Sequence, residues 1–129
     1  MKYMLDTNTC IFIMKKTQTV VEQFRLFQSS GVAISSITLA ELEFGVAKSK
    51  AHERNRNTLL AFSTLVSILP FDTAASAEYG YIRADLEKMG TPIGVLDTLI
   101  AAHAKSLGLM LVTNNTRRVD GLMVEDWLL

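Results

Sequence analysis

Five oxygen-bearing side chains stand where a carboxylate or an amide could do chemistry. Asp6 follows a short apolar run, Glu41 and Asp97 lie inside apolar stretches with helical spacing, and Asn114 and Asn115 follow the apolar run that ends at Thr113. Several carboxylates in one place raise one another's pKa unless a cation neutralises them. Hard oxygen ligands suit magnesium or manganese. Such an ion can lower the pKa of a water molecule and stabilise the transition state of phosphodiester hydrolysis.

Each acid also has an ordinary explanation when it is considered alone. Asp6 could cap a helix, Glu41 could be a surface residue, and Asp97 could be a first-turn charge stabilised by the helix dipole. We expect Asp97 not to be simply solvated, because Leu96 and the apolar run at 99–102 flank it. Spacing along the chain does not show that the three carboxylates meet, so both explanations remain open.

The segments that would position these side chains alternate between strands and helices. We predict strands at 2–5, 32–35, 67–71 and 109–113, and a short last strand at 123–126. We predict helices at 9–15 and 19–29, a helix capped by Ser36 or Thr38, a helix ending near 66, a helix capped by Asp72 or Thr73 that runs to Lys88, and a helix at 95–108 closed by Gly108. This alternation predicts a mainly parallel sheet covered on both faces, with ligands beyond the carboxyl ends of its strands. Pro70 indicates that the third strand lies at an edge or ends there.

The composition favours one globular domain of 129 residues, since 49% of the residues are apolar and 20% are charged. Thirteen basic residues balance thirteen acidic ones, so no overall charge attracts the protein to nucleic acid or membrane. Cys10 is the single cysteine, which excludes an internal disulfide. We expect it to be a buried apolar residue. No secretory segment or membrane-span-length run is evident, so we expect a cytoplasmic protein with no membrane contact.

The chain resembles the PIN-domain family, and within it the VapC-type toxins of bacterial toxin–antitoxin pairs. The matching motifs, in order, are "MLDTN" (4–8), "SSITLAEL" followed by Gly45 (35–45), "GTPIGVLDTLIAAHA" (90–104), "LVTNNTR" (111–117) and "DGLMVEDW" (120–127). The resemblance covers almost the whole chain. It implies a single PIN domain over 1–129, with a three-layer α/β/α fold and a central, mainly parallel sheet. It also implies endoribonuclease activity that depends on Mg²⁺ or Mn²⁺.

The resemblance maps the acidic, metal-holding cluster of the family onto Asp6, Glu41 and Asp97. The family's fourth catalytic position falls near Asn115, whose amide can orient a water molecule but carries no charge. Arg117 runs directly into Arg118-Val119, so this turn is shorter than in close relatives. These departures leave open one alternative, a catalytically impaired PIN module that mainly binds its antitoxin. A second alternative is a different metal-dependent nuclease, for example one that cuts DNA, because a fold does not settle a function.

The contacts with RNA are expected at the rim of this acidic site. Arg117 and Arg118 lie close to it in sequence and are expected to contact phosphate, whereas the basic residues from 48 to 56 are expected to solvate a helix face. Thr7 and Thr113 could donate to the carboxylates or could be ordinary hydroxyls at strand ends. We expect structured RNA, and transfer RNA in particular, as the substrate.

The resemblance also implies protein partners. One is a second copy in a symmetric homodimer, and the other is a VapB-type antitoxin whose C-terminal segment blocks the acidic site. Operator DNA would be contacted only through the antitoxin complex. The aromatic residues of segments 9–29 and 38–66 could line a groove for a partner helix or could belong to the core. His103 and Trp127 are expected to be packed rather than functional.

Overall fold

The computed structural model describes residues 1–115 and 119–129. The chain order is β1 (Tyr3–Leu5), α1 (Thr7–Met14), α2 (Gln18–Phe27), a short 3₁₀ turn (Gln28–Ser30), β2 (Val32–Ser35), α3 (Ser36–Lys48), α4 (His52–Ser63), β3 (Ser67–Leu69), α5 (Thr73–Lys88), α6 (Val95–Leu107), β4 (Met110–Val112) and β5 (Val124–Glu125). Arg117 and Arg118, with the shortened turn predicted there, lie outside the described residues.

The five strands form one sheet in the order β3-β2-β1-β4-β5, and every neighbouring pair is parallel. The central strand β1 pairs Tyr3 with Val32 of β2 on one side and with Met110 of β4 on the other. The predicted parallel sheet is therefore confirmed, and so is the edge position of β3. Because all five strands point the same way, the residues that follow β1, β2 and β4 emerge at one edge of the sheet.

Helices cover both faces of the sheet, which confirms the three-layer α/β/α arrangement. Side chains that alternate along β1 separate two parts of the core. Tyr3 and Leu5 pack with residues of α1, α2, α3 and α4, whereas Met4 packs with Ile100 and Ala101 of α6. Trp127 is buried in the first part of the core, with its ring centroid 5.6 Å from that of Tyr3, as expected for a packing residue.

Several predicted helix boundaries are wrong, including the end of α2, which lies at Phe27 rather than at 29, and local hydrogen bonds explain two of the others. Helix α1 begins at Thr7 rather than Thr9 because the Asp6 side chain caps it, and Ser35 rather than Ser36 or Thr38 caps α3. Helix α4 ends at Ser63, before the predicted Val66. The Asp72 cap of α5 and the end of α6 at Gly108, whose φ is 67°, are confirmed. Within the described residues, no helix is both long and apolar enough to span a membrane.

Candidate active site

Asp6 lies at the edge where β1 ends, and it performs the capping role that its position allowed. Its carboxylate Oδ1 accepts a hydrogen bond of 2.8 Å from the Thr9 amide, and its own amide donates to the Val112 carbonyl of β4 at 3.0 Å. Only 6% of Asp6 is exposed. The cap engages Oδ1, and the side chain also faces a cavity, so capping and a site role coexist here.

That cavity gathers several of the side chains selected from the sequence. Asp6, Asp97, Thr113 and Asn115 supply its polar wall, and a largely apolar back wall consists of Ile93, Ile100, Ala101, Leu111, Val119, Leu122 and Val124. Its volume is about 20 Å³, enough for one water-sized species. The apolar back wall was not anticipated, because its members come from separate elements that only the packing of α6 on the sheet brings together.

Asp97 lies in the first turn of α6 and is exposed to solvent. The expectation that it would not be simply solvated is therefore wrong. Its apolar neighbours Ile100 and Ala101 are buried on the sheet side of the helix, whereas Asp97 stands at the helix N-terminus, where solvent and the helix dipole both favour a carboxylate. Its Oδ2 lies 3.7 Å from the point where Gly94 would carry a Cβ, which is an ordinary van der Waals distance.

Glu41 is tied to the site through Thr7. The Thr7 hydroxyl donates to Glu41 Oε1 at 2.6 Å, and this bond joins α1 to α3 across 34 residues of sequence. Glu41 is half-buried and faces a neighbouring groove rather than the cavity. Burial raises the pKa of the Cys10 thiol well above its ordinary value, and the charges of Asp6 and Glu41 raise it further. Cys10 is therefore a buried, protonated thiol, and its surroundings carry the negative potential of both carboxylates.

The strand β4 leads into a turn that holds Asn115. Thr113 is buried, and its hydroxyl accepts a 3.0 Å hydrogen bond from the Asn115 amide. Its own amide donates to the Glu125 carbonyl at the end of β5 at 2.9 Å. The Thr113 hydroxyl thus fixes the backbone from which Asn115 reaches the cavity.

The chemistry of these donors can be compared with the needs of a magnesium ion. No group of three or more His, Cys, Asp or Glu side chains in the described residues is close enough to hold a metal by itself. The cavity instead offers two carboxylates, from Asp6 and Asp97, together with the oxygens of Thr113 and Asn115. Magnesium is commonly bound through one or two carboxylates and keeps several waters, so this oxygen set fits it.

Two basic residues between 48 and 56 make contacts with other side chains on the surface. Arg56 forms a 2.6 Å salt bridge with Glu43, and the Lys48 ammonium lies 5.1 Å from the centroid of the Phe44 ring. Arg54 differs because it lines the same groove as Glu41.

This groove, which we call the α1–α3–α4 groove, has a volume of about 500 Å³. Its lining consists of Ile11, Met14, Lys15, Glu41, Leu42, Gly45, Val46, Arg54, Asn55, Thr58 and Leu59. Of the aromatic residues that were predicted to line a groove or to belong to the core, some are buried and others are exposed. Phe24 and Phe62 are buried core residues, whereas Phe44 is 65% exposed.

Comparisons of sequence and of structure with known proteins agree with one another. The PIN domain family matches residues 3–121. The chain is 48% identical to the tRNA(fMet)-specific endonuclease VapC of Shigella flexneri, with 98% of each chain covered. It superposes on VapBC2 of Rickettsia felis bound to a promoter DNA fragment, with a TM-score of 0.93, 39% identity and coverage of 98% of this chain and 99% of that one. DNA-bound VapBC of Salmonella typhimurium gives a TM-score of 0.92 at 47% identity, with 98% of each chain covered.

Proposed function

This chain belongs to the PIN-domain family and, within it, to the VapC ribonucleases, and we propose that it is the metal-dependent endoribonuclease toxin of a toxin–antitoxin pair. The bond it hydrolyses is a phosphodiester of structured RNA, with transfer RNA as the substrate class. The transfer-RNA specificity named for the Shigella flexneri relative supports this substrate, because that relative is 48% identical over nearly the full chain.

One observation carries the proposal: Asp6 and Asp97 line the same cavity at the carboxyl edge of the parallel sheet, although 91 positions separate them in the sequence. This is the edge where ligands bind in open α/β sheets. Asp6 is anchored by its cap to the Thr9 amide, and Asp97 is open to solvent. The pair thus combines one fixed carboxylate with one that a phosphate group can approach from outside.

The proposed cofactor is Mg²⁺ or Mn²⁺, held by Asp6 and Asp97, with Glu41 adding negative charge from the neighbouring groove. When bound, such an ion neutralises charge on the phosphate and lowers the pKa of a water. The Asn115 amide would orient the attacking water through its carbonyl oxygen. Thr7 would fix Oε1 of Glu41, and Thr113 would fix the backbone of Asn115. In-line attack would expel the 3′ oxygen, which takes up a proton, and leave 5′-phosphate and 3′-hydroxyl ends.

The first experiment is cleavage of a purified transfer-RNA pool with magnesium, with manganese and with a chelator. Wild type is expected to give discrete fragments in the presence of either metal, and Asp97→Asn is expected to give none. Asp85→Asn is the matched control, since Asp85 is also exposed on a helix but lies outside the cavity. Cleavage that survives the chelator, or full activity of Asp97→Asn, would refute the proposal.

The uncharged Asn115 supports a second candidate function, an impaired module that mainly binds antitoxin. The relevant result is a folded wild type that binds antitoxin tightly but cuts neither the RNA pool nor single-stranded or duplex DNA with either metal. Cleavage of DNA but not RNA would instead favour a different metal-dependent nuclease.

The α1–α3–α4 groove is the proposed seat of a VapB-type antitoxin. The groove is lined by the apolar side chains of Ile11, Leu42 and Leu59 and by the carboxylate of Glu41. The apolar face of an antitoxin helix could fill the groove, and a basic side chain of that helix could pair with Glu41. The antitoxin-containing VapBC structures of the relatives support this partner.

Two glycines offer a matched test of that groove. Gly45 lines the groove and Gly80 lies on α5, and a Cβ at either position would meet nothing within 4 Å. We expect Gly45→Phe to weaken binding of the cognate antitoxin at least tenfold, about 1.4 kcal/mol, because the ring occupies the groove. Gly80→Phe should bind like wild type in the same calorimetric titration. Equal affinity of both variants would move the antitoxin site elsewhere.

We further propose a symmetric homodimer that contacts operator DNA only through the antitoxin. The balanced charge of the chain gives it no general attraction to DNA by itself. Sedimentation of the purified protein tests the dimer. Operator binding with and without antitoxin tests the second statement, which binding by the toxin alone would contradict.

A further inference from the structure

The two helices that carry Glu41 and Asp97 are joined by a polar contact in the core. His103 of α6 lies 2.8 Å from Ser35, between Nδ1 of the imidazole and Oγ of the serine, across 68 residues of sequence. His103 is 1% exposed and Ser35 is fully buried. Ser35 is the N-cap of α3, the helix that presents Glu41, and His103 lies on the helix whose first turn holds Asp97. This contact therefore connects α3, which carries Glu41, to α6, which carries Asp97.

The direction of the proton in this contact follows from the second bond of Ser35. The Ile37 amide, which can only donate, gives a 3.1 Å hydrogen bond to Ser35 Oγ. If the hydroxyl proton of Ser35 goes to Nδ1 of His103, both groups are satisfied. If Nδ1 carried a proton instead, the buried hydroxyl proton would need another acceptor, and leaving it without one costs about 1–3 kcal/mol. The arrangement favours neutral His103 with its proton on Nε2.

The surroundings hold this contact in place. The Phe71 ring meets the imidazole of His103 edge-on at 5.4 Å, and the Phe71 amide donates to Ser36 Oγ at 3.0 Å. Thr38, in the same turn of α3, is buried, but its hydroxyl has no hydrogen-bond partner within the described part of the chain. Ser35 and Ser36 therefore supply the polar tertiary bonds of this turn. Burial lowers the pKa of His103, and Asp72 partly opposes this.

We propose that His103 is a positioning residue for the acidic site: the relay from the Ile37 amide through the Ser35 hydroxyl to Nδ1 of His103 sets α3 against α6, and thereby Glu41 against Asp97. This role rests on the proposed function, because the relative position of Glu41 and Asp97 affects activity only if both acids serve the proposed nuclease site. Asp97 and His103 are six residues apart on one helix, about 9 Å along its axis at 1.5 Å per residue. His103 would thus act through the two helices and not on substrate.

The relay can be tested without metal or substrate. A long-range proton–nitrogen correlation spectrum of the metal-free wild type should show Nε2 protonated and Nδ1 as an unprotonated acceptor at pH 7.5. The tautomer with the proton on Nδ1, or an equal mixture of the two, would overturn the relay. This readout does not depend on whether the protein cuts RNA.

The positioning role is tested with two substitutions of the same residue. His103→Asn keeps an acceptor near the place of Nδ1, whereas His103→Leu removes it. We expect His103→Leu to weaken Mn²⁺ binding and lower kcat by about tenfold or more, the size of effect that a lost supporting hydrogen bond has at metal sites. His103→Asn should remain within about threefold of wild type, since the bond to Ser35 persists.

Each variant is measured at a temperature where its circular dichroism shows the folded state. Wild-type Mn²⁺ affinity in His103→Leu, or an equal loss in His103→Asn, would overturn the positioning role. If His103→Leu does not fold, Ser35→Ala removes the other half of the bond and is judged by the same affinity. Combining both substitutions should add little to the larger single effect, because both break one interaction. A wild type that neither binds Mn²⁺ nor cuts RNA would be a failure of the proposed function instead.

Discussion

The hydrogen bond from Thr7 to Glu41 offers the sharpest test of how the acids are held. Thr7→Val removes the hydroxyl with almost no change in shape, and Thr7→Ser keeps the hydroxyl while removing a methyl group. Thr7 is the first residue of α1 and is half-buried, so neither substitution removes a core side chain. A loss of activity in Thr7→Val that Thr7→Ser does not share therefore reports on the hydroxyl.

The size of the effect follows from the geometry of this bond. A hydrogen bond to a charged group contributes about 1.5–3 kcal/mol, and the lower end applies because this pair is only partly buried. A loss of about 1.4 kcal/mol corresponds to a tenfold change in rate. We therefore expect kcat/KM of Thr7→Val to fall about tenfold and that of Thr7→Ser to stay within about threefold of wild type.

The assay is cleavage of the transfer-RNA pool with manganese, run beside thermal unfolding of each variant. Melting temperatures close to wild type would assign the loss to the site rather than to the fold. The reasoning fails if Thr7→Val cuts RNA as fast as wild type, or if Thr7→Ser loses as much activity as Thr7→Val.

Three further predictions concern single substitutions and pH. Asp6→Asn should abolish cleavage yet melt like wild type because asparagine also caps helices, whereas Asp6→Ala should abolish cleavage and lose about 1 kcal/mol of unfolding free energy; equal melting of the two would contradict the capping role. Burial lowers the pKa of His103 in the folded state, so below pH 6.5 the unfolded chain takes up a proton that the folded chain does not. The free energy of unfolding should then decrease by at most about 1.4 kcal/mol for each unit by which the pH is lowered. Urea titrations at pH 7.5 and 5.5 should show a larger decrease in this free energy for wild type than for His103→Asn. Gly108→Ala should cost about 1 kcal/mol because φ is +67°, while Gly80→Ala, inside α5, should gain about 0.5–1 kcal/mol; thermal unfolding of the two variants checks the opposite signs.

Much of the secondary structure follows from local sequence alone. The apolar runs at 32–35 and 109–113 and the alternation of strands with helices predicted a parallel sheet, which the strand pairings confirm. Asp72 as a cap and Gly108 as a helix end were predictable because each acts on backbone groups a few residues away. The N-cap of α3 was predicted at Ser36 or Thr38 and lies at Ser35, since "SSIT" offers several hydroxyls and the contact with buried His103 distinguishes Ser35.

The candidate site also has features that the local sequence determines and features that depend on tertiary packing. The sequence determined that Asp6 follows a strand of a parallel sheet and that Asp97 begins a helix, because strand and helix periodicity are local properties of the chain. Only the tertiary structure decided that these two share a cavity, that Asp97 is exposed, and that Thr7 holds Glu41. The reason is physical: these contacts join segments 34 or more residues apart, and their distances depend on how the helices pack on the sheet, which no local pattern encodes.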